Sequence, residues 1–202
     1  MTTLIKHSAF ALETGRRALF SGAGQATLSA SAVALLVGCE SMAQGERRTA
    51  QAGAADVNIL NVALGLEHEA ITAYQLGAES GLLQPAVLQV AVAFQSHHKE
   101  HRDALVATIR KLGGMPVAEK PKAEVARDLN AAALKNQTDI LRLAARLERG
   151  AANAYLGVIP SFGDRALAQV AGRLAADETM HWTALAGALA EALPAKALSF
   201  GA

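Results

Sequence analysis

Glu178 and His181 lie three residues apart in the last third of the chain. Apolar residues recur around them at helical spacing, at Leu167, Val170, Leu174, Leu185 and Leu189. On a helix, the carboxylate and the imidazole therefore fall on the same stripe as these apolar residues. Burying either group unpaired costs on the order of several kcal/mol. A metal ion bound by both side chains is one way to satisfy them.

A first helix of the folded domain is predicted from Val57 to about Ala78, with Asp56 as its N-cap. One face of this helix carries Leu60, Leu64, Ile71 and Tyr74. Glu67 lies in the middle of that apolar face, so the spacing predicts a buried carboxylate here.

A second helix is predicted from Pro85 to about Leu112, because proline suits the first turn and Gly113-Gly114 ends the pattern. Its buried stripe is apolar except at His98 and His101, where imidazoles replace apolar side chains. Each of the first two helices therefore places polar groups on its core face.

A third helix is predicted over residues 139–158, with Glu148 in the middle of its inner stripe. Asp164 is the predicted N-cap of a fourth helix that reaches about Ala192. Prolines and glycines between residues 113 and 122 predict a long connection, followed by a short helix around residues 123–134.

The chain contains an internal repeat. Residues 59–74 align without a gap with residues 140–155, at an offset of 81, and the second and fourth helices align at an offset of 80. The matches that carry chemistry are Glu67 with Glu148, Tyr74 with Tyr155, and His101 with His181. In the same register His98 takes the place of Glu178. The chain is thus predicted to be two similar helical hairpins joined by a long crossover, an all-α fold.

Folding the two hairpins together would bring six polar side chains to one level of the core. They are Glu67, His98, His101, Glu148, Glu178 and His181. Three carboxylates and three imidazoles suit two ions of iron, manganese or zinc, so we predict a metal site made of these six ligands.

Other interpretations of these residues stay open. The two glutamates could be buried acids paired with arginine, and His98 could be a hydrogen-bonded core histidine. His97 and Glu100 lie beside the buried stripe and are predicted to be surface residues or neighbours of the ligands. Tyr74 and Tyr155 are expected to pack in the core, each with a hydrogen-bond partner for its hydroxyl. Met180 and Trp182 are expected to contribute packing alone.

Composition is consistent with a helical domain. The chain has 202 residues, of which 51% are hydrophobic and only 4% aromatic, with many alanines and leucines. The net charge is +1 and no arginine or lysine stripe stands out, so nucleic-acid binding is not expected.

The first 39 residues have the order of an export signal, with basic residues before an apolar run. Arg16-Arg17 resembles a twin-arginine signal, and Leu36-Val37-Gly38-Cys39 resembles a bacterial lipobox. Cleavage after Ala43 or Ala50, or a retained membrane anchor, are the alternatives to lipidation at Cys39. We therefore expect the protein in the periplasm or cell envelope, in contact with the membrane only through the signal or a lipid anchor.

These patterns divide the chain into an export signal at 1–39, a flexible linker at 40–55, a helical bundle at 56–192 and a tail at 193–202. The bundle resembles the ferritin-like superfamily, specifically its exported bacterial ferritin-like domain proteins. The resemblance rests on Glu67 with Tyr74, on the matching Glu148 with Tyr155, and on Glu178-x-x-His181. It implies a ferritin-like four-helix bundle in which each hairpin supplies one Glu and one Glu-x-x-His. His98 departs from that pattern, which asks for glutamate.

The resemblance implies a dinuclear iron or manganese site that reacts with dioxygen or peroxide, to oxidise ferrous iron, remove peroxide or oxidise a substrate. It implies no catalytic residue beyond the metal ligands. A different hypothesis, kept open by His98, is a non-catalytic envelope stress or interaction bundle with a degenerate or single-metal site. Association into a homodimer is compatible with either hypothesis, whereas an iron-storage cage fits a lipid-anchored chain poorly.

Overall fold

A computed structural model describes the backbone of residues 30–201 and the side chains of residues 53–201. Within that range the secondary structure is helical. The α-helices are α1 (Ala30–Glu79), α2 (Pro85–Lys111), α3 (Lys122–Asp128), α4 (Gln137–Val158) and α5 (Arg165–Ala188), and 3-10 turns cover Ala131–Ala133 and Ile159–Ser161. Residues from Met42 onward form one compact unit. The predicted all-α bundle is therefore confirmed.

Helix α1 begins well before the predicted start at Val57. Residues 40–55, predicted to be a flexible linker, are helical, because alanine, glutamine, arginine and glutamate in this segment are strong helix formers. The export signal remains a prediction, because Arg16-Arg17 and the side chain of Cys39 lie outside the described residues. The division of the chain at 1–39, 40–55, 56–192 and 193–202 likewise remains a prediction.

Asp56 lies inside α1 and does not cap it, contrary to the sequence-based expectation. Its buried carboxylate accepts hydrogen bonds from the backbone N–H groups of Gly163 (2.9 Å) and Asp164 (3.2 Å). Asp164 in turn caps α5, as predicted, by accepting from the N–H of Ala166 at 2.7 Å. Asp56 therefore ties α1 to the connection between α4 and α5.

The long crossover between the hairpins runs beside α1. Asn61 holds it with both ends of its side-chain amide, donating to the carbonyl of Met115 (3.0 Å) and accepting from the N–H of Val117 (2.7 Å). Gly114 allows the close approach, because a Cβ at that position would lie 2.5 Å from Cγ1 of Val57. These contacts fix the start of the crossover on the first hairpin.

Two apolar clusters form the core. One contains Leu60, Leu64, Leu105, Ile109, Tyr155, Leu167, Ala171 and Leu174, and the other contains Leu141, Ala145, Trp182, Leu185 and Ala186 with Phe94 packed against it. On α2, α4 and α5, the polar positions found in the sequence lie between the residues of one cluster and those of the other. The fold therefore places these polar side chains in a layer sealed by apolar packing at both ends.

The chain end packs back on the bundle instead of forming the loose tail that was expected. Helix α5 stops at Ala188, before the predicted Ala192. Further along, the Phe200 ring lies edge-on to Trp182, with ring centroids 5.1 Å apart, and the N–H of Gly201 donates to Asn153 at 2.8 Å. Among the residues that the structure describes, no helix has both the length and the apolar character that crossing a membrane requires.

Candidate metal centre

The structure brings all six predicted ligand residues together in the polar layer. Their exposed fractions are 1% for Glu67, His98 and Glu148, 0% for Glu178, 2% for His181 and 9% for His101. Four helices supply them: α1 gives Glu67, α2 gives His98 and His101, α4 gives Glu148, and α5 gives the Glu178-x-x-His181 pair. Six ionisable groups buried this deeply must satisfy one another or bind a cation.

The six residues form two overlapping groups, each with possible ligand atoms within 4.8 Å of one another. The groups are Glu67, His98, His101 and Glu178, and His98, Glu148, Glu178 and His181. We call them the first and the second half-site. His98 and Glu178 belong to both, so the arrangement has two places for a cation joined by two shared side chains.

Glu178 presents one oxygen to each half-site. Its Oε1 lies 3.2 Å from Nδ1 of His101, and its Oε2 lies 3.3 Å from Nδ1 of His181. A carboxylate held in this way can bind two metal ions at once, one through each oxygen.

His98 lies between the two remaining glutamates. Its Nδ1 is 2.7 Å from Oε2 of Glu67, and its Nε2 is 3.2 Å from Oε1 of Glu148. One ring nitrogen therefore faces each half-site. This position is compatible with both sequence-based interpretations of His98, as a ligand and as a hydrogen-bonded core histidine.

The residues fit a metal ion on two counts. Nδ1 of His101 and Oε1 of Glu178 are buried and have no hydrogen-bond partner, although they face each other. With ligand distances of about 2.1 Å, adjacent ligand atoms around one ion lie about 3.0–3.4 Å apart. The separations of 3.2 Å and 3.3 Å around Glu178 fall in that range. Mixed carboxylate and imidazole donors suit iron, manganese and zinc.

The two tyrosines hold the glutamates from the opposite hairpin. Tyr74 of α1 donates its hydroxyl to Oε1 of Glu148 on α4, and Tyr155 of α4 donates to Oε1 of Glu67 on α1. Both tyrosines are buried. The expected hydroxyl partners thus exist, and they are the site carboxylates themselves, exchanged between the two halves of the repeat.

The alternative of arginine partners for the two glutamates does not match the structure. The ion pairs that the structure gives Glu67 and Glu148 are all with histidines. Arg102 pairs with Asp103 at 2.8 Å, and the guanidinium of Arg149 lies 5.7 Å from the ring of Trp182.

Two further residues contact the ligand histidines from outside. Nδ1 of His97 lies 2.9 Å from Nε2 of His181, and Oδ2 of Asp177 lies 3.3 Å from Nε2 of His101. The sequence had placed His97 beside the stripe, whereas Asp177 was missed. The 80-residue repeat could have revealed it, because Asp177 precedes Glu178 as His97 precedes His98. 

The remaining expectations concern residues outside both groups. Glu100 is exposed and belongs to neither half-site. Trp182 packs in the apolar core as expected, whereas the side chain of Met180 is 62% exposed and was wrongly expected to pack.

Charge in the layer is balanced between imidazoles and carboxylates. Burial by itself would lower the pKa of His98 and His101, but interactions with the neighbouring glutamates outweigh it and raise the pKa of each to about 10. Burial would raise the pKa of Glu148, yet hydrogen bonds from His181 and His98 hold it well below its ordinary value. For Glu178 burial prevails and its pKa is raised. Protons on imidazoles thus supply positive charge where metal ions would otherwise supply it.

Comparison with known proteins places this geometry in a family. A family model described as a ferritin-like domain matches residues 55–191. No curated protein matches the chain. Among solved structures, the chain is similar to a conserved hypothetical protein, rv2844, from Mycobacterium tuberculosis, with 24% identity, a TM-score of 0.56, and coverage of 72% of this chain and 97% of that chain. This likeness shows the fold alone.

Proposed function

The chain belongs to the ferritin-like domain family, and we propose that its core binds two metal ions, iron or manganese, in the two half-sites. Glu67 and His101 would hold one ion, Glu148 and His181 would hold the other, and Glu178 would offer one oxygen to each half-site. His98 is the sixth proposed ligand. The observation that carries the proposal is the buried pair of unpartnered atoms, Nδ1 of His101 and Oε1 of Glu178. The two atoms lie 3.2 Å apart, so either a proton on His101 or a cation bound between them would satisfy both.

Iron or manganese bound here would supply redox chemistry with dioxygen or peroxide, and we propose a di-metal oxidase or peroxidase-like activity. The chain's own residues orient the ligands. Tyr74 donates to Glu148 and Tyr155 donates to Glu67, and these hydrogen bonds fix the orientation of the two carboxylates. The two apolar clusters exclude water from the layer above and below.

His97 of α2 contacts the second half-site from outside the polar layer. His97 is exposed on that helix, and its Nδ1 lies 2.9 Å from the buried ring of His181. Nε2–H of His181 can donate to Nδ1 of His97, and this contact would fix the ring with its Nδ1 towards the half-site. We place the mature protein in the cell envelope, exported through residues 1–39.

A second function stays in view because of one specific contact. Both nitrogens of His98 already face glutamates, so a protonated His98 offsets one of the three carboxylate charges. One divalent ion, or protons on the other two histidines, would then balance the remaining two. In that case the bundle is a non-catalytic envelope stress or interaction protein with a degenerate site.

The two functions are separated by metal content. The purified protein is stripped with a chelator, loaded anaerobically with ferrous iron or Mn²⁺, desalted and measured by elemental analysis. We expect about two ions per chain and, for iron, a near-ultraviolet absorption band after exposure to air. The matched variants are Glu178→Gln, which should lose both ions, and Glu100→Gln, which alters an exposed glutamate outside both half-sites.

The outcomes are distinct. Two ions in the wild type and in Glu100→Gln, with loss in Glu178→Gln, support the dinuclear centre. One ion without oxygen chemistry supports the single-metal bundle. No metal in the wild type supports the degenerate bundle, whereas an equal, non-zero metal content in wild type and Glu178→Gln overturns both assignments of the site.

A further inference from the structure

An apolar pocket lies beside the metal centre, on the side of the crossover. Its volume is about 640 Å³, including the open mouth. Residues of α1, α2, α4 and α5 line it, together with Leu129, Ala131 and Leu134 from the segment between α3 and α4. Surrounded in this way, the pocket is concave, apolar and partly open to solvent.

The pocket and the centre share two aromatic side chains. Tyr74 lines the pocket and donates its hydroxyl to Glu148. Phe94 lines the pocket and stacks on His181, with ring centroids 4.1 Å apart. A guest at the inner end would therefore touch the two rings that contact one half-site.

The lining decides which guest fits. It consists of alanine, glycine, valine, leucine, isoleucine, phenylalanine and Tyr74, whose hydroxyl is already engaged by Glu148. Water in such a pocket lacks partners, whereas apolar cavities accept apolar molecules. No charged side chain lines the walls, so a charged head group would have to stay outside. At the rim, Val90 is 44% exposed, which leaves apolar surface in water that a guest would cover.

We propose that this pocket binds the aliphatic chain of a small lipophilic molecule, with its end against Tyr74 and Phe94. The proposal goes beyond metal binding and does not require it, because Tyr74 and Phe94 line the pocket and neither is a proposed metal ligand. The shared rings would let an occupied pocket affect the neighbouring half-site.

The test is titration calorimetry with n-decanol below its solubility limit. We expect saturable binding of one molecule per chain. Ala91→Phe puts a ring into the pocket and should weaken binding by about tenfold or more. The matched control is Ala93→Phe, two residues further along α2 at an exposed position outside the lining, which should bind like the wild type.

A second variant keeps the proposal falsifiable if Ala91→Phe does not fold. Leu134→Ala enlarges the pocket from the crossover side and should shift the preference towards a longer chain, measured with n-tetradecanol. An unchanged preference counts against an aliphatic site. Chelator-treated wild-type protein is also titrated with decanol and should still bind one molecule per chain, so failure of the metal centre would not imitate failure of the pocket.

Two outcomes would overturn the proposal. One is a failure of the alcohol titrations, in which the folded wild-type protein binds neither alcohol or the Ala91→Phe protein binds decanol as well as the wild type. The other is concentration-dependent self-association that Ala91→Phe abolishes, with no alcohol bound, which would make this face a contact between two copies of the chain.

Discussion

His97 and Asp177 occupy equivalent positions of the two hairpins, and each contacts the ligand histidine of the other hairpin. His97 lies 2.9 Å from Nε2 of His181, and Asp177 lies 3.3 Å from Nε2 of His101. The positions match, but the chemistry differs: one outer partner is an imidazole and the other a carboxylate. A carboxylate behind a ligand histidine raises its basicity and fixes its ring. The two half-sites are therefore unequal, despite the repeat.

Asp177→Asn should weaken one metal ion selectively. Without the carboxylate, His101 becomes a poorer donor, so the affinity of the first half-site should fall by about 10–100-fold while the second changes little. Stepwise titration of the chelator-treated protein with Co²⁺, followed by absorption, would resolve the two events. Asp103→Asn is the matched control, because Asp103 is exposed and pairs with Arg102. Equal weakening of both steps would contradict a selective role for Asp177.

His98→Glu should lower the stability of the metal-free protein and raise its affinity for metal ions. His98 bonds to Glu67 and Glu148, so a carboxylate in its place would repel both. We expect the free energy of unfolding of the metal-free protein to fall by roughly 3 kcal/mol or more. The stabilisation gained on adding Mn²⁺ should grow, because the site becomes more anionic.

Urea unfolding with and without Mn²⁺ measures both effects of that change. His98→Gln is the control, since it removes the imidazole charge without adding a carboxylate, and it should destabilise less. A metal-free His98→Glu protein as stable as the wild type would mean that His98 does not balance the glutamates.

Tyr155→Phe should destabilise the bundle by about 2 kcal/mol, because a hydrogen bond to a buried carboxylate is lost. The same bond lowers the pKa of Glu67, which should therefore rise in the variant. Tyr74→Phe removes the repeat-related bond to Glu148 and should behave alike. Chemical denaturation of both metal-free variants checks this, and two unchanged unfolding midpoints would show that these bonds contribute nothing.

The metal-free protein should lose stability as the pH rises from 6.5 towards 10. The pKa values of His98 and His101 rise from an ordinary 6.5 to about 10 on folding. Their contribution is therefore complete below pH 6.5 and is lost as the pH passes through about 10. On the acid side, the lowered pKa of Glu148 contributes stability above pH 4.5 that is lost as the pH falls below it.

Metal should reverse the alkaline trend, because it competes with protons for the imidazoles and binds more tightly as they deprotonate. Melting temperatures of chelator-treated and Mn²⁺-loaded protein, recorded between pH 6 and pH 10 on the basis of those raised pKa values, give the comparison. If the melting temperatures of the two forms change with pH in parallel, that result would argue against metal binding by these histidines.

Local pattern was enough to predict most of the helices. Apolar spacing, Pro85 and Gly113-Gly114 placed α2 within a residue of its observed bounds, because helix periodicity and end signals act over a few neighbours. The same reasoning failed for Asp56, which resembles an N-cap in sequence yet accepts hydrogen bonds from Gly163 and Asp164, over a hundred residues away. A side chain's partner across the fold leaves no local signature.

The sequence by itself determined that six polar side chains lie on buried stripes and that a repeat relates most of them, since both follow from periodicity and composition along the chain. The tertiary structure decided how they meet: Glu178 facing both half-sites, His98 between two glutamates, and an apolar pocket behind Tyr74 and Phe94. The physical reason is that helix rotation and spacing depend on packing among all four helices. Contacts of about 3 Å between residues far apart in sequence depend on those two variables.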